Sequence, residues 1–207
     1  MRATRVAAIL FVVVVAAAVA FGWYEVRRGF SARAQPSALE AALAHTMRDL
    51  SIPRSAKEAK NPWAEKASPE ILEAAKAHWA DHCATCHAND GSGKTEIGPN
   101  LYPKAPDMRL AATQNLTDGE LYYVIRNGVR LTGMPAWGDP DLLQDDESWQ
   151  LVLFIRHLPQ ITDEEAEAMK ALNPKTDADR AEEQQEQDFL NGGELPAQPS
   201  GEGHHHE

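Results

Sequence analysis

Both cysteines of this chain fall in one stretch, HWADHCATCHANDGSG, residues 78–93. They are Cys83 and Cys86, and His87 follows directly. On a helix, side chains three apart share a face, so the stretch presents two thiols side by side with an imidazole next to them. The surroundings read as helical. Ser68-Pro69 is an N-cap followed by proline at the first helical position, and Ile71, Ala75, Trp79 and Cys83 then form one stripe. Thr117 with Glu120 is a capping box opening DGELYYVIRNG, which Gly128 stops. DDESWQLVLFIRHLP carries Trp149, Val152, Leu153 and Ile155 before Pro159. No period-2 pattern competes, so the expected fold is a small all-α domain over residues 61–160. The loops at 88–116 and 128–144 are long for so compact a unit, and a large buried group that they wrap would account for them.

The flanks are of different character. Arg2 and Arg5 precede an uncharged run from Val6 to Tyr24, long enough to nearly span a hydrocarbon core of about 30 Å. Trp23 and Tyr24, then Arg27 and Arg28, suit a membrane interface. Residues 1–24 are read as a transmembrane signal-anchor. The competing reading is a cleaved signal peptide, with small-x-small sites at 18–20 and 32–34. Both export the remainder, and cleavage would leave it soluble in the periplasm. Residues 25–60 are expected to be a stalk in which Leu39, Leu43, Met47 and Leu50 mark a short amphipathic helix, lying on the domain or on the membrane. Asn61-Pro62 marks the boundary. Residues 161–207 are expected to be an acidic, largely disordered tail. The net charge of −11 is uneven: +5 over residues 1–60, −6 over 61–160 and −10 over 163–207. No Lys/Arg-rich block accompanies the motifs, which argues against nucleic acid as a partner.

Four chemistries use two thiols and an imidazole. Zinc needs four ligands, and no second cysteine pair exists. A redox dithiol wants a strand before it and a sheet around it. A disulfide across two residues closes a very small loop and leaves His87 idle. Covalent haem uses all three residues: each thiol forms a thioether, and His87 rises to the iron. The opposite axial ligand is sought downstream, in NGVRLTGMPAWGD, where Met134 stands in a Gly-Met-Pro turn 47 residues after His87. Met108, in PKAPDMRL, is the rival. Tyr102, Arg109, Arg130 and Trp137 lie in the wrapping loops as candidate haem contacts, because a partly buried propionate needs donors. His78 and His82 are expected to be ordinary helix residues. His204, His205 and His206 could bind a divalent metal or simply end a solvated tail.

CATCH, GPNL and LTGMPAW together resemble a class I, mono-haem cytochrome c domain of the bacterial, membrane-anchored type, over roughly residues 68–160. The resemblance implies an all-α fold around one covalent haem c, with first and last helices crossing beside it. It also implies that the Pro99 carbonyl accepts a hydrogen bond from His87 Nδ1–H. His/Met ligation leaves no open iron position and implies one-electron transfer rather than catalysis. The expected protein therefore shuttles electrons between respiratory or dehydrogenase components on the periplasmic face of the membrane, with redox proteins as partners and no small-molecule substrate. Two alternatives stand beside it. One is a haem subunit fixed within a larger dehydrogenase or reductase. The other is a haem sensor or peroxidase with a labile methionine.

Overall fold

The structure, a computed structural model, describes residues 2–29, 31–139, 141, 145–175 and 177–191. Among these residues it is helical without strands. The tail residues 192–207, with His204, His205 and His206, lie outside the described residues. Helix α1, Arg2–Arg28, has no buried residue, and its most apolar 18-residue stretch has a mean hydropathy of 2.7, so it is long and apolar enough to cross a membrane. Arg27 lies over Trp23 and Arg28 over Tyr24 at its end, with 5.0 and 5.6 Å from guanidinium carbon to ring centroid. Helix α2, Ala38–Ser51, opens on a capping box made by Ser37 and Glu40. The short α3 covers Arg54–Glu58.

The core is assembled from helices far apart in sequence. Helix α4, Pro69–His78, starts where Ser68 caps Ile71 N–H. It runs into a π-helical turn, Trp79–Cys83, and then α5, Ala84–His87. Helix α4 packs against α8, Asp146–His157, which Asp145 caps. Helix α7, Asp118–Asn127, opens on the Thr117–Glu120 capping box and packs on α8. The one-turn α6 is Ala111–Gln114. Trp79, Val152, Phe154, Ile155 and Leu158 are almost wholly buried, and Trp79 packs on Phe154 with ring centroids 5.5 Å apart. Sealing such side chains from water supplies most of the folding free energy, about 1.5–3 kcal/mol for each large aliphatic or Phe.

The packed body exceeds the expected 61–160 at both ends. On the N-terminal side, Ile52 is 4% exposed and α3 lies against α7. Thr117 Oγ1 donates to the Lys57 carbonyl at 3.0 Å. Asn61, expected to mark a boundary, is buried and donates to the Trp149 carbonyl at 2.9 Å. On the C-terminal side, the expected tail begins as a packed segment. Helix α9, Asp163–Ala168, is followed by a 3-10 turn, Met169–Leu172, with Met169 only 1% exposed in the core. Glu165 meets His157 Nε2 at 2.8 Å and Lys76 Nζ at 3.0 Å, tying α9 to α8 and α4. The sequence conceals this because one buried methionine among acids carries no periodic signal. Helix α10, Asp177–Leu190, follows.

Candidate haem site

Cys83 ends the π turn, and Cys86 and His87 follow on α5. A π turn inserts a residue into the helical register, as is frequent at functional sites. It breaks the single stripe expected through Cys83, leaving Trp79 in the core and Cys83 at its edge. The segment ends with strain. Ala88 has φ 63° and ψ 161°, a region that essentially only glycine occupies. This conformation sends the chain back so that Trp79 Nε1–H donates to the Ala88 carbonyl at 3.0 Å.

A narrow cleft lies against this segment, lined by Trp79, Cys83, His87, Met108, Ile125, Met134, Trp137, Leu151 and Ile155. Cys83, His87 and Met134 are thus brought together, although Met134 is remote in sequence. The turn that presents Met134 also caps the end of α7. Val129 N–H donates to the Met134 carbonyl, Trp137 N–H to that of Ile125, and Gly138 N–H to that of Arg126, at 3.1, 3.1 and 3.2 Å. Thr132 Oγ1 accepts from Met134 N–H at 3.1 Å. Met108 enters from the other loop, with its N–H on the Gly91 carbonyl and its carbonyl on Gln114 Nε2. A larger depression of about 430 Å³ lies elsewhere, lined by Leu72, Glu73, Leu153 and His157 among others, and contains none of the thiols or thioethers.

The titrating groups of the cleft are held neutral. Burial, with a smaller push from Cys86, raises the Cys83 thiol to about 12. Burial lowers the His87 pKa, opposed by the Pro106 backbone. A neutral imidazole is the form that binds a metal. His87 Nδ1 is buried without a well-formed hydrogen bond. Trp79 flanks the ring, with centroids 5.8 Å apart. Among the described residues no group of three His, Cys, Asp or Glu is placed to hold a metal ion, and both cysteines are free thiols. The donor set fits a haem c: two thiols and a neutral imidazole on successive turns, with thioethers and apolar walls in the same cleft.

The structure distributes the remaining candidates unevenly. Trp137 lines the cleft and packs edge-on against His82, with centroids 5.3 Å apart. His82, which is exposed, also sits 4.9 Å from the ring of the half-buried His78 and 3.2 Å from Asp81, and His78 is 3.7 Å from Glu147. Pro99 is exposed on the 3-10 turn Gly98–Asn100 and makes no hydrogen bond to His87; the backbone that the ring senses is Pro106. Gly98, not Pro99, makes the close approach, since a Cβ there would stand 2.4 Å from the Cys86 carbonyl oxygen. Arg109 is held by Asp107 at 2.7 Å and Asp90 at 3.0 Å, and this pairing keeps Asp107 below the usual carboxylate range. Tyr102 donates to Glu40, and Arg130 is exposed. None of these three lines the cleft. Trp79 and Pro106 were not singled out from the sequence as neighbours of His87. The Trp79–His87 spacing of eight residues was the available signal.

Residues 70–155 match the family model described as Cytochrome C oxidase, cbb3-type, subunit III. Over 97 residues the chain is 33% identical to the Cbb3-type cytochrome c oxidase subunit FixP of Rhizobium meliloti (strain 1021), covering 44% of this chain and 29% of that protein. The chain therefore spans less than a third of the length of this curated relative. The Cys-x-x-Cys-His segment, the helical core around it and these similarities together support a c-type cytochrome domain, with haem c and electron transport as its chemistry, over residues 70–155.

Proposed function

We propose that this chain is a membrane-anchored one-electron carrier with a single covalent haem c. The reading rests above all on the convergence of Cys83, His87 and Met134 in one cleft. Cys83 and Cys86 would hold the haem through thioethers. His87 and Met134 would be its axial ligands, leaving no iron position for oxygen or peroxide. The bound group supplies a one-electron Fe(II)/Fe(III) couple. Trp79, Ile125, Leu151 and Ile155 keep water from the cleft, and burial keeps His87 unprotonated for ligation. Helix α1 would anchor the chain in the cytoplasmic membrane with the domain on the periplasmic side.

The relative's description as an oxidase subunit favours a refined version, in which the domain serves as a fixed electron-transfer subunit of a larger complex rather than a free shuttle. Denaturing, reducing electrophoresis with haem staining tests the covalent reading. Haem should migrate with the full chain, and Cys83→Ser with Cys86→Ser should abolish the stain. Haem lost from the unaltered chain would refute it. Co-purification from mild detergent separates the two versions: a fixed subunit stays with its complex at high salt, and a shuttle does not.

A further inference from the structure

The apolar stripe of α2 is uncovered. Leu39, Leu43, Met47 and Leu50 are 80%, 58%, 62% and 80% exposed. At 100° per residue the four fall within an arc of about 80°. Ala41 and Arg48, the half-buried residues of this helix, fall on the opposite side. The stripe is therefore left uncovered by the protein, and α2 is tied to the rest of the chain at both ends. Glu40 accepts from the Tyr102 hydroxyl, and the Asp49 carbonyl accepts from Lys57 Nζ at 2.6 Å. The Ser37–Glu40 capping box gives the helix its own start.

We propose that α2 lies in the bilayer interface, its stripe among the acyl chains, and so sets how the haem cleft faces the membrane. The proposal rests on α1 being a membrane anchor. Helix α1 ends at Arg28, and residues 29–37 can carry α2 no farther than about 35 Å from that point even when fully extended. Lipid is thus the apolar phase that the covalent path keeps within reach, and the stripe continues an interface already marked by Trp23, Tyr24, Arg27 and Arg28. The opposite face carries His45, Arg48 and Asp49, as an interfacial helix requires. The link to the cleft runs through Tyr102. Its segment places Gly98 on the Cys86 carbonyl and Leu101 against Gly133, the residue before Met134. The contact of α2 with Tyr102 is thus joined to the segments that carry Cys86, His87 and Met134.

The test uses the full-length holoprotein in phosphatidylcholine vesicles, with an environment-sensitive fluorophore on Leu43→Cys or on His45→Cys. Both positions are exposed, so neither change threatens folding. Lipids bearing a nitroxide on the acyl chain should quench the Leu43 label about threefold more than the His45 label, and aqueous iodide should show the reverse order. Equal quenching at the two positions would overturn the proposal. So would protection of the Leu43 label from iodide without quenching by lipid, which would mean that a second copy or another protein covers the stripe. Flotation after an alkaline wash reports on α1 separately: chain that floats but gives equal labels defeats only the α2 proposal, whereas chain that does not float defeats the anchor as well.

Discussion

Gly128→Ala should dislodge Met134 without touching it. Gly128 ends α7 at φ 65° and ψ −172°, and placing a side chain there costs about 1–3 kcal/mol. The new Cβ would also stand 2.6 Å from the Pro135 carbonyl carbon, 2.7 Å from Ala136 N and 2.8 Å from the Met134 carbonyl oxygen. All three are backbone atoms, so no rotamer relieves the contact. Restoring an ordinary separation of 3.4 Å means moving the 134–136 segment by about 0.8 Å. That motion strains the hydrogen bonds from Val129 N–H to Met134 and from Trp137 N–H to Ile125, each worth about 1 kcal/mol. The expected destabilisation is about 2–5 kcal/mol, read by denaturant unfolding of the oxidised holoprotein. The near-infrared sulfur-to-iron band should weaken or vanish, and the ferrous form should gain carbon monoxide binding. Gly133→Ala is the control, because the atoms nearest its Cβ would be those of the Leu101 side chain, the first at 2.7 Å, which can turn. Retention of the band with stability within about 0.5 kcal/mol of the unaltered protein would refute the reasoning.

Met134→Ala should remove the near-infrared band while Met108→Ala preserves it; the reverse would transfer the ligand role to Met108, which shares the cleft. Ala88→Gly should raise the unfolding free energy by about 1 kcal/mol, since it removes the positive-φ strain yet keeps the carbonyl that Trp79 uses; a loss of stability would show that the conformation is unstrained. Glu165 is pushed upward by burial, but His157 and Lys76 outweigh this and leave its pKa below 4.5. Its ion pairs therefore stabilise the fold above pH 4.5 and fade as pH falls below that value. Glu165→Gln should cost about 1–2 kcal/mol at pH 7 and progressively less in acid, measured by unfolding at each pH; a cost that stays constant would contradict the ion-pair account. Electron transfer in intact membranes should depend weakly on ionic strength, because tethering would replace charge steering for an acidic domain, whose residues 61–160 alone carry a net −6, and cutting the chain before Ile52 should slow it more than salt does.

The parts that were legible in the sequence are short-range. Ser68-Pro69, Thr117 with Glu120, and Gly128 marked helix ends because a cap acts over three or four residues. The α2 stripe was readable from its period, yet which surface it meets was not. Residues 52–60 and 163–172 join the packed body unannounced for a related reason. Each contributes one buried anchor, Ile52 or Met169, and a single apolar residue in a polar stretch has no pattern. Gly119 shows the missing information: a Cβ there would stand 1.8 Å from the Ala56 carbonyl oxygen, so the approach of α3 to α7 depends on a residue 63 positions away.

The order of residues alone keeps the two thiols and the imidazole together, since Cys83, Cys86 and His87 lie within five residues and any helical turn holds them adjacent. It also determined the apolar length of α1 and the all-helical class. Tertiary structure alone decided what faces His87. Met134 and Met108 both reach the cleft, Trp79 flanks the imidazole, and the backbone that the ring senses is Pro106 rather than Pro99. It also decided that Arg109, a free cation on paper, is held by Asp107 and Asp90. The physical reason is range. Backbone hydrogen bonds and caps bind neighbours in the chain, whereas burial and ion pairing act between whatever surfaces the packed helices bring together.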